Sequence, residues 1–257
     1  MIRNTRRSLD VAYGDKKTPE EKERLARTAF EQLSRVLAED IYFLTHPKRM
    51  VEKVGIRGEE HLKAALAKGK GVVAVTGHFG NFPLMIAWLS YQGYKVSVIM
   101  RRMRDVRVTD YILKRIAPSG VKIIFTDPVR ECVQGSISAL RRNEILFILI
   151  DQNYGADARV PAEFFGKKVW VGASPVTFAL RTGAAIVPIF SLREGADRHC
   201  VCIEPAVPLE EDRQDADTTE KNVQKLTVVI ERYIRAHPAL WSWMHNRWKD
   251  IIQSNED

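Results

Sequence analysis

Gly71-Val-Val-Ala-Val-Thr-Gly-His78-Phe-Gly-Asn-Phe-Pro83 is the stretch on which the reading of the whole chain turns. An apolar, β-branched run stops at Gly77-His78, and a second glycine and an asparagine precede another apolar run. The pattern predicts a buried strand, a sharp loop carrying a histidine, then a helix from about Phe82 to Tyr91. A histidine at the carboxyl end of a strand stands where open α/β sheets place reactive groups. Its imidazole is also the side chain best matched to moving protons near neutral pH.

Downstream of that stretch the same alternation continues. Val96–Met100, Val121–Phe125 and Ile145–Ile150 read as strands, separated by helices over Val106–Ile116 and Arg130–Arg141. Asp151 to Gly172 reads as a long polar connection containing glycine. Ala173–Thr182 is expected as a helix, Ala185–Phe190 and His199–Ile203 as strands, and Asp217–Ala236 as an amphipathic helix. An aromatic tail, Trp241-Ser-Trp243-Met-His245-Asn-Arg-Trp248, follows, and its tryptophans are expected to pack in the core.

Upstream, Thr18-Pro19-Glu20-Glu21 opens a helix, with threonine as N-cap, proline in the first turn and acids at the positive end. Leu25, Phe30, Leu33, Leu37, Ile41 and Leu44 recur at helical spacing and are expected to face the core, up to a stop at His46-Pro47. A short helix is expected over Glu59–Ala67. The fold class is therefore α/β: a mostly parallel central sheet flanked by helices, with an N-terminal helical extension. The expected organisation is one domain over 1–257, with the extension at 1–68 and the α/β core at 69–257.

The 257 residues are 45% hydrophobic and 28% charged, the balance of a folded domain rather than a disordered chain. Forty Lys+Arg against 32 Asp+Glu give a formal net charge of +8, which favours anionic partners. No run is long and apolar enough to span a bilayer and no signal peptide is visible. The basic start, Met1-Ile-Arg-Asn-Thr-Arg-Arg7, suits the surface of anionic lipid. Cys132, Cys200 and Cys202 lack metal-ligand spacing and read as reduced thiols, the 200/202 pair expected to split so that only one faces the core. His46, His61, His199, His237 and His245 show no ligand spacing either, so no metal and no cofactor is expected. No basic motif interleaved with aromatics supports nucleic-acid binding.

Three further stations belong with His78. Arg101 ends the next strand, Asp151 with the amides Gln152 and Asn153 ends a third, and Glu163 stands beside the Phe164-Phe165 pair. Carboxyl ends of parallel strands share one edge, so these groups are expected to converge on one crevice with His78. Gly77 and Gly80 suit tight turns and close backbone approach to a ligand. Asn81 suits the N-cap of the following helix, with substrate contact as its second possible role.

Taken together these residues resemble a known family, the lipid A biosynthesis lauroyl/myristoyl acyltransferases of the wider lysophospholipid acyltransferase group. The resemblance runs from Arg3–Leu9 to Trp248. It rests on Gly77-His78-Phe79-Gly80-Asn81-Phe82, the arginine after the second strand, and Asp151-Gln-Asn-Tyr-Gly155. Glu163-Phe-Phe-Gly166, Arg181-Thr-Gly-Ala-Ala-Ile-Val-Pro188 and Trp243-Met-His-Asn-Arg-Trp248 complete it. It implies acyl transfer from an acyl-carrier thioester, carried by acyl-carrier protein or coenzyme A, to a hydroxyl of a lipid A-like or lysophospholipid acceptor. The expected place is the cytoplasmic face of a bacterial inner membrane, reached peripherally. The resemblance further implies a catalytic histidine with a Glu or Asp five positions on, which orients it and stabilises the imidazolium. Arg101, Gly80, Asn81, Gln152 and Asn153 are then substrate-binding candidates.

The chain departs from that pattern at Pro83, which stands where the family has its acid. Asp151 and Glu163 are the carboxylates expected to take over, Asp151 the better placed because a strand end is more rigid than a loop. Alternatively, the histidine works unassisted, or the chain is a catalytically impaired lipid- or carrier-binding homologue of the same fold.

Overall fold

The computed structural model describes residues 1–153, 159–211 and 217–249; Tyr154 and Gly155 of the quoted motif, and the side chain of Leu44, lie outside the described set. Seven strands form the central sheet: β1 (Val54–Arg57), β2 (Val72–Thr76), β3 (Val96–Met100), β4 (Lys122–Phe125), β5 (Ile145–Leu149), β8 (Ala185–Glu194) and β9 (Arg198–Ile203). Their spatial order is β1-β9-β8-β2-β5-β3-β4. Every neighbouring pair is parallel except β8 and β9, which form an antiparallel hairpin.

β2 runs between β8 and β5 and is buried along its whole length. Its alternate side chains serve two cores. Val73 and Val75 join Leu146, Ile148, Ile186 and Phe190 on one face. Val72 and Ala74 join Ile145, Phe147 and Val187 on the other. A strand covered on both sides needs apolar residues at every position, which is why the run is unbroken rather than alternating. Each fully buried valine contributes about 1.5–3 kcal/mol of burial.

The helices are α1 (Ile2–Tyr13), α2 (Pro19–Thr45), α3 (Pro47–Lys53), α4 (Glu59–Leu66), α5 (Phe82–Tyr91), α6 (Val106–Ile116), α7 (Val129–Arg141), α8 (Ser174–Thr182) and α9 (Thr218–Ala236). The expected Thr18 cap of α2 forms a full capping box with Glu21. None of the described helices is long and apolar enough to cross a membrane.

Five local expectations are corrected. The basic start is the helix α1, which buries Leu9, Ala12 and Tyr13; its single-turn apolar spacing was hidden among four charged residues. Val54–Arg57 is the edge strand β1, too short to show a period. Within the supposed 151–172 connection lies an antiparallel hairpin, β6 (Arg159–Phe164) and β7 (Lys167–Gly172), which packs on α9. Cys200 and Cys202 do not split: residues two apart share a strand face, both are buried, and their sulfurs lie 3.9 Å apart. On α2 the stripe divides, with Leu25, Phe30 and Leu33 half-buried while Leu37 and Ile41 are exposed. The tail tryptophans Trp241, Trp243 and Trp248 are buried as expected.

Candidate active site

The turn after β2 is built so that a carboxylate can lie against it. Asp151 follows β5, the immediate parallel neighbour of β2, so both groups emerge side by side at one edge. A Cβ on Gly77 would stand 3.1 Å from the Asp151 carboxyl carbon, so glycine leaves the space that the acid occupies. Gly80 has φ +57°, and a Cβ there would stand 2.0 Å from the Ser191 carbonyl oxygen. The loop turns back at that point because glycine alone fits.

Asp151 is fully buried and takes three donors. Its Oδ1 lies 2.9 Å from His78 Nδ1. Its Oδ2 accepts from the His78 backbone N–H at 2.8 Å and from Trp241 Nε1 at 2.8 Å. Burial alone would raise this carboxyl, but the His78 charge and the three hydrogen bonds outweigh it and hold the group down at about 2. An ionised carboxylate cannot donate, so Nδ1 of His78 carries a proton toward it, and in the neutral tautomer that this selects, Nε2 is the nitrogen with the lone pair. The imidazole is 27% exposed, open enough to meet a substrate. The Gln152 amide nitrogen lies 2.9 Å from Nε2 and donates to that lone pair.

The tail closes the site from outside the sheet. Gly80 N donates to Leu240 O at 2.8 Å, and Ser242 N donates to His78 O at 3.0 Å. Phe79 and Trp241 form an antiparallel bridge. Phe164 and Phe165, from the hairpin, underpin the tail: their rings lie 5.8 Å from Trp241 and 6.0 Å from Trp243. The hairpin therefore reaches the site through tryptophans, not through its acid.

Beside His78 opens a cleft. Phe30, Leu33 and Val36 of α2 form one wall, and Leu240, Trp243 and Met244 of the tail form the other. Asn81, Arg193 and His199 stand at its polar end. Arg193 is nearly buried and forks onto Glu39 of α2, at 2.5 and 2.7 Å, with Gln32 taking its Nε. Burial would raise Glu39, but bonds from His199 and Arg193 bring it down to about 2. Asn81 caps α5 by accepting from Leu84 N and donates to Glu39 at 3.2 Å, so the N-cap and the polar network share one amide.

Of the expected residues, the structure brings together His78, Asp151, Gln152, Gly80 and Asn81. Asn153 lies next to them in the chain, half-buried. Two are placed elsewhere. Glu163 is exposed on β6, where its backbone exchanges hydrogen bonds with Gln224 of α9. Arg101 is exposed beyond β3 and does not line the cleft. Trp241, Glu39, Arg193 and His245 were not singled out from the sequence for this site. The His245 ring lies 4.9 Å from that of His78. No local spacing links residues so far apart in the chain; the unusual density of aromatics around His245 was the one available signal. Among the described residues no group of three or more His, Cys, Asp or Glu is disposed to hold a metal.

Comparisons with known proteins bear on the same elements. A phosphatidylinositol mannoside acyltransferase of Mycobacterium tuberculosis is 25% identical over 212 residues, 80% of this chain and 63% of its own. A lipid A biosynthesis lauroyltransferase of Escherichia coli is 23% identical over 249 residues, 95% of this chain and 77% of its own. A palmitoleoyltransferase of the same pathway and organism is 23% identical over 253 residues, with the same coverage. The chain thus spans less than two thirds of the length of the mannoside relative. Residues 2–250, which hold the sheet, the His78 loop and the closing tail, match the family model for bacterial lipid A biosynthesis acyltransferase, and the chain belongs to that family.

Proposed function

We propose that this protein transfers a fatty acyl chain from a carrier thioester to a hydroxyl of a lipid acceptor, with His78 as general base and Asp151 as the acid that orients it. The observation that carries this reading is the 2.9 Å contact of Asp151 Oδ1 with His78 Nδ1 at the wall of an apolar cleft. Nε2 takes the proton of the acceptor hydroxyl as its oxygen attacks the thioester carbonyl, and the buried carboxylate stabilises the imidazolium that results. Asp151 does from the neighbouring strand what an acid at position 83 does in the family pattern. The apolar walls suit the acyl chain.

The donor is the thioester of an acyl-carrier protein or of coenzyme A, and the acceptor a lipid A-like lipid or lysophospholipid. The place is the cytoplasmic face of a bacterial inner membrane. Exposed Leu37, Ile41 and Tyr42 on α2, and Met103, Val106, Val108 and Tyr111 on or just before α6, support contact with a bilayer. Arg101, Arg102, Arg104 and Arg107 alongside them suit its anionic headgroups. Purified protein is expected to move a labelled acyl chain from at least one thioester to one of these acceptors, and His78→Ala to abolish it. Undiminished transfer by His78→Ala would end the assignment.

A second reading, a binding homologue with impaired catalysis, draws on Pro83 and on the Gln152 amide that occupies Nε2. It predicts vesicle or carrier binding without turnover. Pro83→Glu separates the two: with Nδ1 already held by Asp151, the rate stays within about threefold of the parent, whereas a gain of about 100-fold would favour impairment.

A further inference from the structure

Resting on that reading, the geometry points to His245 as a second catalytic residue: its ring N–H donates a hydrogen bond to the oxyanion that forms on the thioester carbonyl. Acyl transfer at a thioester needs a donor for that oxygen. Arg101, a cation expected among the substrate-binding residues, lies outside the cleft. The nearby backbone N–H groups of Phe79, Gly80 and Ser242 are spent on Gly77, Leu240 and His78 carbonyls. Among the described residues no hydrogen bond engages the His245 ring, which lines the cleft and lies 4.9 Å from that of His78 with the two rings tilted by 56°. The two rings are in contact and border one cleft, so a carbonyl attacked by an oxygen on His78 Nε2 would meet the edge of the His245 ring from that cleft.

The protonation state suits the role. Burial lowers the His245 pKa, the His78 charge lowers it further, and Asp151 opposes both. Arg193 and His199, at the polar end of the same cleft, add no anion beyond Glu39, which they already hold. A neutral imidazole still carries one N–H to donate. It leaves His78 as the group that accepts the proton, because His78 alone has the Asp151 carboxylate behind it.

The steps balance as follows. The acceptor hydroxyl gives its proton to His78 Nε2 while its oxygen bonds to the carbonyl carbon, and the carbonyl π pair moves onto oxygen, where the His245 N–H meets it. The C=O bond re-forms, the C–S bond breaks, and the departing thiolate takes the proton back from His78. An ester and a free thiol leave.

The test combines turnover with binding of a tetrahedral anion mimic. His245→Ala is expected to lower kcat about 10²–10³-fold with KM nearly unchanged, while His245→Gln, which keeps an N–H donor, recovers at least tenfold of that loss. In calorimetry, a long-chain alkylphosphonate is expected to bind His245→Ala at least tenfold more weakly than the parent, and the matching alkyl alcohol equally well to both. Unchanged melting temperatures exclude misfolding; if His245→Ala unfolds, the Gln variant and the phosphonate-to-alcohol ratio decide. A kcat within threefold of the parent, equal losses in the Ala and Gln variants, or equal phosphonate binding would overturn the inference. If the parent transfers no acyl group to any acceptor, the proposed function fails, and the phosphonate comparison alone still decides whether His245 is an oxyanion donor.

Discussion

The loops after β2 and β3 leave the sheet at the same edge, yet of the two only the first lines the cleft of the candidate site. Strands lie about 4.8 Å apart, and the order β8-β2-β5-β3 puts β5 between the other two. Asp151, one strand from His78, touches its ring and its backbone. Arg101, about 10 Å away across two strands, stays in solvent instead. The β2 loop is also pinned by the tail, while Arg101 to Val108 are exposed throughout. Sharing an edge makes meeting possible; adjacency decides it.

That contrast breaks if the two loops respond alike to substitution. Asp151→Asn is the severest test, because the amide leaves the ring without its anion and frees it to adopt the wrong tautomer. The expected loss in kcat is about 10³–10⁴-fold, against less than about threefold for Arg101→Ala and no change for Glu163→Ala. Assays of the three variants side by side measure it.

The polar end of the cleft comes next. Glu39→Ala strands Arg193 as a buried cation and is expected to cost about 3–5 kcal/mol in denaturant unfolding, whereas exposed Arg101 has no such debt. Acid titration sharpens the role of Asp151. Its pKa is depressed in the folded protein to about 2 from the ordinary 3.8, so its contribution is present above pH 4 and is lost as pH falls from about 4 toward 2. The stability gap between the parent and Asp151→Asn, roughly 2 kcal/mol from this source, is expected to close over that window. Trp241→Phe, which removes one donor from the carboxylate, is expected to cost about 1.5–3 kcal/mol in denaturant unfolding, comparable to that gap.

The sequence made the layered architecture and most of its elements legible because long apolar runs and capped helices carry their own period. Phe82–Tyr91 and Val106–Ile116 form where their spacing places them. β1 and the β6–β7 hairpin were not legible: four residues hold no period, and hairpin residues alternate around Pro161 and two lysines. At the site, strand ends identified His78 and Asp151, but strand order is a long-range property that local pattern does not encode. For the same reason Arg101 and Glu163 were expected in one crevice with Asp151, and His245 and Trp241 did not stand out. The cysteines show the opposite case, where simple pleat arithmetic suffices and places both on one face.

The tail has a temporal consequence. Trp241, Leu240 and Ser242 grip the acid, the turn and the histidine carbonyl, so a ribosome-bound nascent chain holds no finished His78–Asp151 pair until residues 238–248 have emerged. Detachment of that strap by heat or a protease would silence the molecule while its pleated interior stays folded, and inactivation would then run ahead of unfolding.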